Sequence, residues 1–68
     1  MLINVDFNSG EPVTRQVIAQ IKWMVATGRL AIGEKLPSVR ELAKQLKVTP
    51  TAVSRIYAEL SAEDVIVL

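Results

Sequence analysis

Sixty-eight residues limit the chain to one small domain, and half of them are hydrophobic with a single Trp, Tyr and Phe, so any core must be aliphatic. The absence of cysteine and histidine excludes a disulfide staple, a thiolate or imidazole metal centre and the usual nucleophile and base pairs. The net charge of +1 hides an uneven distribution: residues 1–34 balance, residues 35–60 carry five cations against two carboxylates, and residues 61–68 add two acids.

A domain of this size is marginal alone, which leaves oligomerisation as its natural support. No apolar run approaches the ~20 residues of a membrane helix, and the start MLINVDFNSG lacks the basic and apolar regions of a secretory signal, so no membrane partner and a cytoplasmic location are expected. The basic segment at 35–60 has two readings, a solvated helical face or a surface for an anionic partner such as nucleic acid.

Residues 2–7 alternate weakly and read as a short strand or an extended arm, with Ser9-Gly10 as punctuation. Pro12 suits a helix start, and Val13, Val17, Ile18, Ile21, Met24 and Val25 fall at helical spacing before Gly28, a natural stop. A first helix is therefore expected from about Pro12 to Thr27. Trp23 lies off its main stripe and either covers an edge of the core or meets a partner.

The connection RLAIGEKLP turns at Gly33, and Pro37 disfavours helix at Leu36, which is expected to be extended and buried. Ser38 through Glu41 spells a capping box, followed by Val39, Leu42, Ala43 and Leu46 at i, i+3, i+4 and i+7. This second helix ends near Leu46 or Lys47. Thr49 caps a third helix, Pro50 takes its first position, and Val53, Ile56, Tyr57 and Leu60 repeat the same spacing to about Ala62. Val65 to Leu68, VIVL, reads as a strand.

Catalysis finds no support in this inventory. The carboxylates are scattered over helix surfaces, Ser38, Ser54 and Ser61 have no histidine partner, and Gly10, Gly28 and Gly33 are too far apart to form a phosphate cradle. No cofactor is called for. The last two helices are more informative. About nine residues, a connection of about three, and about a dozen more make the layout of a helix-turn-helix over residues 38–60. Ala43, small and on the buried face, lets the two helices cross closely, and Val48 plugs the turn. That turn usually takes a left-handed residue; Lys47 occupies it, at a cost of ~1 kcal/mol, with a side chain able to reach a phosphate.

With its apolar stripe buried, the start of the third helix, 50–60, offers Thr51, Ala52, Ser54 and Arg55 outward. Short side chains allow close approach to a major groove, a methyl can meet thymine, and arginine can pair with guanine or a phosphate. Arg40 is expected on the same side. Free N–H groups at both helix starts can bind phosphate, which brings in Ser38 and Thr49.

The pattern I-x-x-D-F-x-S-G-x-P-x-x-x-Q from Ile3, followed by G-R-L-x-x-G-x-x-L-P-S-V-R-E-L-A-x-x-L-x-V-x-P-x-x-V-x-R-x-Y-x-E-L from Gly28, resembles the winged helix-turn-helix DNA-binding domain of GntR-family bacterial transcription regulators. The LPSVRELA run is most similar to the YtrA-type subfamily. The resemblance spans Ile3 to Ile66 and implies a mainly α fold: a three-helix core with short β-strands and a two-stranded wing. It also implies a homodimer on double-stranded DNA with a palindromic operator, repression of transcription, association with the nucleoid, and an effector bound outside residues 1–68. By the family pattern Arg40 reads bases; Thr49, Thr51, Ala52, Ser54 and Arg55 add contacts; Ser38 approaches a phosphate.

Two positions depart from the family. Asp64 stands where glycine is usual after the third helix, and Thr49-Pro50-Thr51-Ala52 replaces an asparagine-containing segment. The pattern also puts Leu68 inside the first wing strand, so the basic wing tip and a C-terminal dimerisation or effector domain are expected outside this sequence. A module that keeps this fold for dimerisation or protein interaction, with weak or no DNA binding, is the alternative.

Overall fold

The computed structural model describes residues 3–31 and 34–66. Three helices carry the fold: α1 (Val13–Ala26), α2 (Val39–Leu46) and α3 (Pro50–Ala62). Helix α3 packs against both α1 and α2. The core is the one the apolar spacing implies. Val17, Ile18 and Ile21 of α1, Leu42, Ala43 and Leu46 of α2, and Val53, Ile56, Tyr57 and Leu60 of α3 are buried, joined by Leu30 from the α1–α2 connection and Ile66 after α3. Met24, Val25, Leu36, Val48 and Val65 close its edges half-buried.

Each helix starts and stops for a local reason. Pro12 opens α1, its carbonyl accepting the amides of Arg15 and Gln16 at 3.1 and 3.2 Å. Gly28, at φ +76°, turns the chain away after the last turn. Ser38 caps α2 by accepting the Glu41 amide at 3.1 Å, and Thr49 caps α3 by accepting the Ala52 amide at 3.2 Å. The return bond of the capping box, from the Ser38 amide to the Glu41 carboxylate, is not among the hydrogen bonds of the described residues.

The turn between α2 and α3 has the expected geometry. Lys47 sits at φ 59°, ψ 43°, and the Val48 amide returns to the Ala43 carbonyl at 3.0 Å. The same device ends α3: Asp64 stands at φ 59° and the Val65 amide reaches the Leu60 carbonyl at 2.9 Å. Asp64 thus supplies the conformation a glycine would, and the short polar side chain of aspartate tolerates it better than most.

The N-terminal segment is an arm with no strand partner among the described residues. Its backbone is held by glutamine side chains that act as a neighbouring strand would. Gln20 Oε1 accepts the Asn4 amide at 2.9 Å while its Nε2 donates to the Asn4 carbonyl. One turn earlier, Gln16 Oε1 accepts the Asp6 amide at 2.8 Å and its Nε2 donates to the Asp6 carbonyl at 2.9 Å. Successive turns of α1 thus bind alternate residues of the arm, while Ile3 and Val5 lean on the core.

No strand is present among the described residues. Of the expected VIVL strand, Val65 and Ile66 form a bend and Ile66 inserts into the core, while Val67 and Leu68 lie outside the described residues, as does the Gly33 turn. Leu36 is half-buried rather than buried, because it borders a cleft with Leu30, Lys35, Pro37 and Glu41. Trp23 remains 54% exposed and is covered on one face by the Arg29 guanidinium, 4.8 Å from the ring centroid.

Tyr57 ties the segment before α2 to α3, its hydroxyl donating to the Pro37 carbonyl at 2.8 Å. Burial, and secondarily the nearby Glu41 carboxylate, push its phenol above the ordinary 10.0. The native chain holds that proton where the unfolded chain has released it. This contribution is therefore complete below pH 10 and is lost as pH rises from there through the native value. Tyr57→Phe is expected to lower unfolding free energy at neutral pH by about 0.5–1.5 kcal/mol, the worth of one hydrogen bond. It should also flatten the alkaline fall in stability, as measured by urea melts at neutral and alkaline pH.

Candidate nucleic-acid interface

Helices α2 and α3 present two exposed faces joined by the Lys47 turn. On α2, Leu42, Ala43 and Leu46 turn inward, and the exposed side carries Arg40, Lys44 and Lys47 at i, i+4 and i+7, the last just past the helix end. On α3 the buried stripe leaves Thr51, Ser54, Arg55 and Ala58 exposed. Every outward side chain in the first two turns of α3 is short except Arg55.

The expected site residues mostly occupy the places assigned to them. Ser38 and Thr49 are exposed caps, Arg40 and Lys47 are exposed on the α2 side, and Thr51, Ser54 and Arg55 are exposed on α3. Ala52 differs: it is half-buried, because it stands on the flank of α3 beside the Val53 and Ile56 stripe. Two further residues belong with the set. Lys44 completes the basic stripe of α2, a spacing already visible in the sequence as cations four and seven residues from Arg40. Arg15 of α1 lines one cleft with Arg55 and Glu59, a contact between helices that no local spacing announces.

Charge is partitioned by partnering. Two of the three acids near the end of α3 are taken by cations of α1: Arg15 holds Glu59 through two hydrogen bonds, at 3.2 and 3.4 Å, and Lys22 meets Glu63 at 2.9 Å. Arg40, Lys44, Lys47 and Arg55 take part in no ion pair among the described residues. These four cations therefore stand without an ion-pair partner among the described residues; Glu41 of α2 and Glu59 of α3 are the carboxylates of the two helices, and Glu59 is already held by Arg15.

The helix starts add donors. The amides of Val39 and Arg40 in α2, and of Thr51 in α3, have no partner among the described residues, as the first turn of a helix leaves them. No group of carboxylates among the described residues could hold a metal ion, and no helix is long and apolar enough to cross a membrane.

Comparison with known proteins agrees with this geometry. Residues 13–68 match the family described as bacterial regulatory proteins, gntR family. The chain is 42% identical over 65 residues to the HTH-type transcriptional repressor YtrA of Bacillus subtilis, covering 96% of this chain and 50% of that protein. It is 38% identical over 64 residues to the HTH-type transcriptional regulator Rv1152 of Mycobacterium tuberculosis, covering 94% of this chain and 53% of the relative. Among solved structures, YtrA from Sulfolobus acidocaldarius, a GntR-family transcription factor, superposes with a TM-score of 0.83 at 41% identity over 90% of this chain and 53% of that one. The chain spans about half the length of the curated relatives it matches.

The hydroxyls divide into two classes that stability measurements can separate. Ser38→Ala and Thr49→Ala each remove a helix cap and should lower unfolding free energy by about 1 kcal/mol. Thr51→Ala and Ser54→Ala touch exposed positions with no hydrogen bond to lose and should stay within about 0.5 kcal/mol of the parent in urea denaturation.

Proposed function

The chain belongs to the gntR family of bacterial regulatory proteins, and on that basis we propose that it is the DNA-reading domain of a transcription repressor, with α3 seated in the major groove of its operator. The observation that carries this reading is the set of four unpaired cations, Arg40, Lys44, Lys47 and Arg55, around an acid-free helix start. The fold is that of a helix-turn-helix regulator, and the family is one of regulators rather than enzymes. Repression is carried over from the named activity of the Bacillus relative.

In this reading the roles divide by side-chain chemistry. Arg40 pairs with a base edge through its planar fork, and Arg55 takes a guanine or a phosphate. Thr51, Ser54 and the Ala52 methyl allow close approach and contact base edges. Lys47, together with Lys44, neutralises phosphates. The amides of Val39, Arg40 and Thr51, at starts capped by Ser38 and Thr49, donate to phosphate oxygens of the duplex. The regulator acts as a homodimer on a palindromic operator in the cytoplasm, at the nucleoid when bound. A wing completes the DNA-binding domain in this reading, and an effector binds outside residues 1–68. These roles fix which measurements separate a DNA reader from a module that uses the same fold for protein contact.

A duplex selected by the chain from a random pool provides the test. Observed affinity should fall with salt at a log–log slope of about −0.9 for each phosphate neutralised, roughly −2 to −3 per chain with Lys44, Lys47 and, where it meets a phosphate, Arg55 engaged. Arg40→Ala should cost roughly 1–3 kcal/mol and relax preference at one base position. Failure to enrich any duplex, or salt-insensitive association, would instead favour the protein-contact module, for which exposed Trp23 and Phe7 offer apolar surface.

A further inference from the structure

Arg55 and Glu59 lie four residues apart on α3, the spacing at which side chains of a helix meet and opposite charges pair. They do not pair here. The Glu59 carboxylate is bound instead by Arg15 of α1, Nη2 to Oε1 at 3.2 Å and Nη1 to Oε2 at 3.4 Å. All three side chains line one cleft between α1 and α3, with Thr14, Ile18 and Ile56. Both oxygens of Glu59 are thus engaged by a residue from another helix, and Arg55 takes part in no ion pair.

We propose that Arg15 is a positioning residue for DNA binding: by occupying Glu59 it keeps Arg55 free for the duplex and removes a negative charge from the approach of α3. This rests on the DNA-binding reading above. Without the Arg15 guanidinium, Glu59 has a cationic neighbour in reach on its own helix. Arg55 would fold back along α3 toward it, and any residual carboxylate charge would repel phosphate. The pair is partly exposed, at 60% and 37% of the side-chain surface, so its effect is that of a screened ion pair and not of a buried one.

The prediction has a sign that simpler roles do not share. Arg15→Ala should weaken affinity for the selected duplex by roughly two- to fivefold at low salt, within the range of an exposed ion pair. Adding Glu59→Gln to it should restore affinity to within about twofold of the parent, since the competing charge is gone. A phosphate contact by Arg15 itself, or a purely structural bond between α1 and α3, predicts that the double variant binds no better than Arg15→Ala; that result overturns the proposal. The Arg55 side-chain Nε–Hε signal, followed by NMR without DNA, gives a second readout. It should shift and lose its salt independence in Arg15→Ala and return in the double variant. An Arg55 signal unchanged in Arg15→Ala contradicts the proposal even if no duplex is bound, whereas failure of the parent chain to bind any duplex counts against the DNA reading alone.

Discussion

What faces outward from α3 depends on how closely α2 crosses it, and that closeness rests on Ala43. It is 3% exposed on the inner side of α2, between Leu42 and Leu46, and a longer side chain there would force the helices apart. Its carbonyl also receives the Val48 amide, the bond that closes the turn. One small residue therefore fixes both the separation of the two helices and the point at which the chain reverses. Lys47 completes the reversal in a left-handed conformation that costs a non-glycine residue about 1 kcal/mol. Thr49 and Pro50 then start α3 directly after the turn.

Helix α1 has two tasks on its polar sides. Toward α3 it supplies Arg15 and Lys22, which take up Glu59 and Glu63 and so confine negative charge to the half of α3 far from the turn. Toward the N-terminal arm it supplies Gln16 and Gln20, whose amides satisfy the backbone of Asp6 and Asn4. The aliphatic stripe between these sides holds the core. The net charge of +1 thus resolves into an excess of cations in residues 35–60 and paired carboxylates at Glu59 and Glu63, a distribution that suits a polyanion.

The parts of this structure legible in the sequence are those governed by local rules. Helix bounds followed from Pro12, Gly28, Ser38 and Thr49 because capping and proline geometry act within a few residues. The left-handed turn at Lys47 followed from the spacing of two apolar stripes. What the sequence hid is what tertiary contact decides. Nothing within one helix says that the N-terminal segment will lie across the glutamines of α1. The Arg15 and Glu59 pair joins residues 44 apart. Asp64 read as a departure from a glycine position, yet it adopts the conformation that glycine would. Ala52 was placed outward, and its half-burial reflects a flank position that a four-residue stripe resolves poorly.

The central claim, that the starts of α2 and α3 are where this chain meets DNA, is tested most directly by titrating the isotopically labelled chain with a selected duplex and following its backbone amide signals. The account predicts shifts concentrated at residues 38–40, 47, 49 and 51–55, with the surface around Trp23 and Arg29 unmoved. Shifts centred on Trp23, with the first turn of α3 unperturbed, would contradict it.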